Sequence, residues 1–191
     1  MSNSKFMKGN GFVILVGIIT GVVLIGIVVG IILFNNARLN KIYTPNLTVA
    51  EGEERIMLVD YCHKTVGTNG GDGYNETVLY YTKDGKCEVH YFSQYEYEGE
   101  MSHSIYEVDN KVIEDVYKIL RELDMASWNE KYKNSKYVIT GAAYVVKFRL
   151  NDGEYVRVTS DNMPEDGIRK AYNIAACLDE YANDGKETEA K

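Results

Sequence analysis

The pattern of apolar and polar positions divides the chain into two unlike parts. Residues 11–34 form an apolar run of 24 residues without a charge, in which Thr20 is the only polar side chain. A helix of that length reaches roughly 36 Å, which exceeds the hydrocarbon core of a bilayer at about 30 Å. The pattern therefore predicts a transmembrane helix over 11–34, preceded by a short N-terminal tail over 1–10.

This apolar run is expected to be retained as an anchor. The apolar region of a cleaved signal peptide normally covers about 7–15 residues and precedes a site of small residues. Here the run is longer, and the residues that follow it are Asn35, Asn36, Ala37 and Arg38. These side chains do not form a cleavage site of that kind.

The charges that flank the run predict its orientation. Lys5 and Lys8 precede it, Arg38 and Lys41 follow it, and the C-terminal flank soon becomes acidic. Positive charge favours the cytoplasmic side of a membrane, and the α-amino group adds to the N-terminal flank. We therefore favour a single-pass protein of the cell membrane with a cytoplasmic N-terminus and an extracytoplasmic C-terminal domain.

Glycines within the run form two helix-packing motifs. Gly17 and Gly21 make one pair with a spacing of four, and Gly26 and Gly30 make another. Glycine lets two helix backbones approach closely, and the two motifs lie half a turn out of phase at about 100° per residue. We expect them to contact two different neighbours, although glycine is also simply common in membrane helices.

Two β-hairpins are predicted beyond a polar linker over 35–52. Each has a three-residue turn that ends in glycine, Lys83–Gly85 in the first and Asn151–Gly153 in the second. With the glycine in a left-handed conformation, such a turn fixes the register and brings the apolar positions onto one face. The predicted pairs are Tyr81 with Cys87, Leu79 with Val89, Phe148 with Val156 and Val146 with Val158.

Helical periodicity follows each hairpin. Asp109 or Asn110 can cap a helix that ends near Met125, and Pro164 can open a final helix. We predict an α+β protein in which the N-terminal transmembrane helix precedes one antiparallel β-sheet with two α-helices packed on one face. The remaining predicted segments are strands over 55–63, 101–108 and 137–150, a soluble domain over 53–183 and a disordered tail over 184–191.

Composition limits the partners of the soluble part. The chain has 21 Lys and Arg against 28 Asp and Glu, a net charge of −7, and its basic residues are scattered. This argues against nucleic acid as a partner. With three cysteines, at least one is free or paired with another chain. Cys62 and Cys87 either form a bridge between neighbouring strands or remain free thiols.

The sequence contains no motif of a known catalytic or metal site, and no cofactor is expected. Cys87 and His90 are three apart on a predicted strand, so they point to opposite faces and cannot chelate one ion. One loop is rich in oxygen ligands and is a weak candidate for Ca²⁺. Its residues are Asp161, Asn162, Glu165 and Asp166, which alternatively cap the last helix.

A candidate interaction surface combines an aromatic residue with cations. Trp128 lies just past a helix end, among several lysines. It suits a binding surface if exposed; alternatively it closes the core over the sheet edge. Lys147, Arg149 and Arg157 lie on the outer positions of the second hairpin, where they form either a partner surface or a solvated sheet face.

The second half of the domain resembles small extracytoplasmic domains of Gram-positive bacteria. The resemblance covers about 60 residues: Asp124–Trp128, Gly141, the strand–Asn-Asp-Gly–strand unit, Tyr155–Asp161 and Pro164. Such domains follow a single anchor helix or a lipoprotein signal, and they imply no catalytic residues. The resemblance is consistent with an extracytoplasmic C-terminal domain.

From these observations we expect a membrane-anchored, non-catalytic interaction or sensing domain. It would bind a protein partner or a second copy of itself. One alternative is an accessory subunit of a membrane complex that docks through its glycine-rich helix. The other is an enzyme of an unrecognised class.

Overall fold

The structure is a computed structural model that describes residues 3–65, 73–95, 100–128 and 142–190. The chain divides into two compact units, Met1–Lys41 and Ile42–Lys191. The second unit is larger than the predicted soluble domain over 53–183, because residues at both of its ends are packed into it.

The first unit is helical. Helix α1 covers Asn3–Ile42 and contains the whole predicted span. Among the described residues, Gly17–Ile42 is a 26-residue stretch long and apolar enough to cross a membrane. The predicted separation into a tail, a helix and a linker is wrong at both helix ends. Residues 35–44 contain neither glycine nor proline, and residues such as Ala37 and Arg38 favour helix, so the helix continues until shortly before Pro45.

Within the described residues, the second unit contains one seven-stranded antiparallel sheet and two α-helices, which confirms the α+β prediction. The strand order is β6-β5-β1-β2-β3-β4-β7. The strands are β1 (Arg55–Thr65), β2 (Gly73–Thr82), β3 (Cys87–Tyr95), β4 (Ser102–Val108), β5 (Ala142–Arg149), β6 (Tyr155–Thr159) and β7 (Lys186–Ala190). The helices are α2 (Lys111–Glu122) and α3 (Gly167–Asp184), with short 3₁₀ turns at Met125–Ser127 and Ser160–Asn162.

Both predicted hairpins are confirmed with their register. In the first, Tyr81 pairs with Cys87 and Leu79 with Val89. In the second, Phe148 pairs with Val156 and Val146 with Val158. The turn glycines, Gly85 and Gly153, have φ values of +85° and +89°. Residues other than glycine rarely adopt such values. Of the predicted strand 137–150, residues 137–141 lie outside the described residues.

The core lies between the helices and one face of the sheet. Tyr117 of α2 places its hydroxyl 3.1 Å from the carbonyl of Leu58 and 2.7 Å from that of Arg149. On α3, Asp179 accepts a 2.7 Å hydrogen bond from the Tyr91 hydroxyl. The fully buried side chains of this core include Leu58, Leu79, Val89, Val112, Val116, Leu120, Val146, Phe148, Ile174 and Leu178.

Residues directly after α1 pack into this second unit instead of forming a free linker. Tyr43 is 4% exposed, and its ring stacks on Phe148 with centroids 6.0 Å apart. Its hydroxyl donates to Asp124 Oδ1 at 3.2 Å and accepts from the Ala126 N–H at 2.7 Å. The Asn46 N–H donates to the Leu150 carbonyl at 3.2 Å. The linker prediction is therefore wrong over these residues.

Two other predicted boundaries are wrong. Helix α2 ends at Glu122 rather than near Met125, because Asp124 takes a left-handed conformation with φ +44°. The predicted disordered tail over 184–191 is wrong over Lys186–Ala190, which forms β7 beside β4, and residue 191 lies outside the described residues. Strand pairing uses main-chain groups, so a polar segment can form an edge strand without an apolar pattern.

Candidate interaction surface on the second face of the sheet

The sheet face opposite α2 and α3, called the second face below, carries a cluster of ionisable side chains. Strand side chains alternate between faces, and the register brings polar positions of neighbouring strands together. Asp60 of β1 lies opposite Lys147 of β5, which lies opposite Arg157 of β6. Val78 of β2 lies opposite His90 of β3. Neither helix packs on this face, since their described contacts are with the core face.

Two carboxyl groups meet at the centre of the second face. Asp60 and Glu76 are diagonal neighbours on β1 and β2, since Glu76 lies opposite Cys62. Burial, together with the charge and hydrogen bonding of Glu76, raises the pKa of Asp60 to about 7. Among the described residues, no group donates a hydrogen bond to the buried Oδ1 of Asp60.

Three cations lie on the second face of β5 and β6, and two of them, Lys147 and Arg157, share a row with Asp60. Lys147 is half-buried, with its Nζ 4.6 Å from the centre of the Tyr155 ring. Arg149 donates from Nε to the Asn46 carbonyl at 3.0 Å and from NH1 to the Tyr155 hydroxyl at 3.2 Å. Arg157 is exposed. No carboxylate of the described residues lies within 4.0 Å of the charged nitrogens of these three side chains.

A histidine network lies on the other side of the acid pair. The ring of His90 is 3% exposed, with Nδ1 3.1 Å from His103 Nε2 and Nε2 2.9 Å from Arg55 NH1. Glu88 Oε2 lies 2.8 Å from the Arg55 NH1 and 3.0 Å from His90 Nε2. Burial lowers the pKa of His90; Glu88 opposes this effect, and the positive charge of Arg55 adds to it. The lowered pKa therefore favours the neutral form of the His90 imidazole.

This arrangement can bind charged or hydrogen-bonding groups and can hold a proton near neutral pH. It does not bring together a nucleophile, a base and an oxyanion-stabilising group among the described residues, which an acyl-transfer site would need. His90 and His103 are adjacent, but no group of three or more His, Cys, Asp or Glu among the described residues could hold a metal ion.

The predicted interaction residues separate into two sets. Trp128 is 4% exposed and donates from its indole to the Leu123 carbonyl at 3.1 Å. It is part of the core, so its assignment to an interaction surface is corrected. Lys147, Arg149 and Arg157 do lie together on the second face, as neighbours on β5 and β6.

The calcium candidate is not supported by the geometry. Asp166 pairs with Lys170 at 2.7 Å across one helical turn. Asp161, Glu165 and Asp166 do not form a metal-binding group within the part of the chain that the structure describes. Nor does the Asp166 side chain cap α3, because Lys170 engages it.

The four glycines of α1 have open surroundings. A Cβ atom built on Gly17, Gly21, Gly26 or Gly30 meets no atom within 4 Å. The prediction that they pack against neighbouring helices remains a prediction.

The cysteines are free thiols. Cys87 lies on the core face and Cys62 on the second face, so they do not bridge. Burial raises the pKa of Cys62 and Cys177 to about 11 and that of Cys87 to about 12. A thiol with such a pKa is a poor nucleophile at neutral pH.

Sequence reasoning missed the acid pair and the histidine network. The alternation of the first hairpin places Glu88, His90 and Phe92 on its outer face, and the register of that hairpin adds Glu76. The partners of these residues come from β1 and β4, namely Asp60, Arg55 and His103. Their positions depend on strand pairings that no short turn fixes.

Comparison with known proteins gives no match. No protein-family model, no curated protein sequence and no solved structure is similar to this chain. The proposals below therefore depend on the geometry and on the sequence.

Proposed function

We propose that this chain is a single-pass membrane protein whose second unit is a non-catalytic interaction or sensing domain, and that the second face of its sheet is the contact surface. The observation that carries the proposal is the clustering of charged side chains on a face that α2 and α3 leave uncovered. Three cations there have no ion-paired carboxylate among the described residues.

The character of this surface suits a protein partner. Arg55 lies over the ring of Tyr80 and Lys147 over the ring of Tyr155, and the His103 ring stacks on Phe92. Aromatic and arginine side chains contribute strongly to protein interfaces. The net charge of −7 makes nucleic acid an unsuitable partner.

The cellular placement is part of the same proposal. Helix α1 would anchor the chain in a bacterial cell membrane, with the N-terminus in the cytoplasm and the domain outside. This agrees with the resemblance to Gram-positive extracytoplasmic domains and with the balance of flanking charges.

The placement is tested by protease treatment of intact bacteria whose wall is permeable to the protease, followed by alkaline extraction of the membranes. We expect the domain to be degraded in intact cells and the undigested chain to resist extraction. Protection of the domain in intact cells, with digestion only after lysis, would refute the extracytoplasmic orientation.

The contact surface is tested by photo-crosslinking in cells. A photoreactive amino acid replaces Phe92 on the second face or, as the matched control, Tyr172 on α3, whose side chain is 59% exposed. Adducts of defined mass should form from position 92 and not from 172. Equal adducts from both positions, or adducts from 172 alone, would contradict the assignment.

A second candidate function is docking of α1 into a larger membrane complex. The two glycine motifs, which lie half a turn out of phase on α1, favour it. Replacing Gly17 and Gly21 with leucine should remove one neighbour, and replacing Gly26 and Gly30 should remove another, as measured by co-purification in mild detergent. Retention of every partner by both double variants would exclude docking through these motifs.

A further inference from the structure

Among the described strands, β6 forms one edge of the sheet, and alternate main-chain groups along it are directed outward. The Leu150 N–H donates to the Glu154 carbonyl at 2.8 Å and closes the hairpin. Hydrogen-bonded pairs alternate from that point in an antiparallel ladder, so Phe148–Val156 and Val146–Val158 exchange hydrogen bonds with β5. The N–H and C=O groups of Tyr155, Arg157 and Thr159 therefore point away from β5.

The side chains along this edge are basic on the second face. Lys147 lies opposite Arg157, and Arg149 lies opposite Tyr155. Like charges directly opposite on neighbouring strands are destabilising. The nearest opposing group in the same row is Asp60, a single carboxyl group that lies within 4.0 Å of neither charged nitrogen, so it neutralises the two cations incompletely. An anionic partner would offset this repulsion.

Part of the edge is held in position before any partner binds. Arg149 is fixed by the Asn46 carbonyl and the Tyr155 hydroxyl. Tyr155 donates to the Met57 carbonyl at 3.0 Å and places its ring 4.6 Å from the Lys147 Nζ. Side chains that are already ordered lose less entropy on binding, so this edge is suited to recognition.

We propose that the edge of β6 binds an extended, acidic segment of a partner protein as an added strand. Main-chain groups of Tyr155, Arg157 and Thr159 would pair with the segment, and an acidic side chain opposite Arg157 would give the selectivity. Acidic residues at every second position of the segment would all lie on the second face. This inference specifies the partner in the function proposed above and rests on that proposal.

The test uses the full chain in phosphatidylcholine nanodiscs and three fluorescent nine-residue peptides. One alternates Glu and Val; the second replaces Glu with Lys; the third keeps the Glu–Val sequence but carries an N-methyl group on each internal main-chain nitrogen, so it cannot donate main-chain hydrogen bonds to β6 in either strand direction. Fluorescence anisotropy should show binding of the Glu–Val peptide, no binding of the Lys peptide and about tenfold weaker binding of the N-methyl peptide.

Protein variants locate the binding. Arg157→Glu should weaken binding of the Glu–Val peptide by about tenfold or more, and Arg157→Gln by less. The matched control is Lys118→Glu, an exposed position on α2, which should leave affinity unchanged. Because Arg157 is exposed, the variants should fold normally, and their thermal unfolding is measured alongside.

The inference would be overturned by equal binding of the N-methyl peptide, by equal loss in Lys118→Glu, or by no binding of the Glu–Val peptide. A lipid effect would also overturn the inference. If anionic phosphatidylglycerol nanodiscs abolish peptide binding to the natural protein, and this loss depends on Arg157, the cations contact lipid. If adducts from position 92 persist while the peptides fail to bind, only strand addition is wrong and the broader interaction proposal stands.

Discussion

Replacing Tyr43 with phenylalanine removes one hydroxyl group that makes two hydrogen bonds. The hydroxyl contacts Asp124 Oδ1 at 3.2 Å and the Ala126 N–H at 2.7 Å. The ring is 4% exposed, so water does not readily replace the lost partner. The substitution leaves the Ala126 N–H without its acceptor. A buried donor left without a partner costs about 1–3 kcal/mol. We expect Tyr43→Phe to lower the free energy of unfolding by that amount.

The measurement is urea unfolding of the full chain in detergent micelles, followed by tryptophan fluorescence. Trp128 is the only tryptophan and is 4% exposed, so its emission reports on the core near Asp124. With an m-value of about 1–3 kcal/mol/M, the midpoint should fall by roughly 1 M urea. Tyr172→Phe is the matched control, because that side chain is 59% exposed and should contribute little.

A small effect would refute the reasoning. If Tyr43→Phe and Tyr172→Phe agree within about 0.5 kcal/mol, residues 43–46 are not packed in solution. They would then behave as the free linker that the sequence suggests.

Two further predictions concern pH and use the same unfolding assay. The raised pKa of Asp60 means that the fold prefers its protonated form, so stability is lost as the pH rises from 3.8 to about 7. Asp60→Asn, which cannot ionise, should be about 1 kcal/mol more stable than the natural protein at pH 8, allowing for partial exposure, and not at pH 4. A gain of equal size at both values would contradict this. His90 has a lowered pKa, so the fold loses stability as the pH falls below 6.5. His90→Gln should reduce that loss, and an unchanged slope between pH 7 and 5 would count against the network.

The sequence predicts structure well where a local signal determines it. A glycine at the end of each three-residue turn fixes the hairpin register, and Leu79 and Val89 then share a face with the other apolar positions. The apolar run of α1 is long enough to predict a transmembrane helix without any tertiary information. These features depend on residues close together in the chain.

Other features depend on contacts between distant residues, and the sequence does not indicate them. Tyr43 lies in a polar segment, and its partner Asp124 comes 81 residues later. His90 and His103 become neighbours only through the pairing of β3 with β4. Trp128 sits among lysines, and its burial depends on how the core closes. For the candidate site, alternation identifies the outer faces of each hairpin but not which strand lies next to them.

Strand β7 has a practical consequence for protein production. An expression boundary at Asn183, the end of the domain suggested by the sequence, would remove Lys186–Ala190 and make β4 the edge of the sheet. The main-chain groups of Ser104–Glu107 would lose their partners, and Ile105, now 8% exposed, would lie on an open edge. Unpaired edge strands with apolar side chains promote aggregation. A soluble fragment should therefore extend through Ala190, with any affinity tag placed beyond that residue.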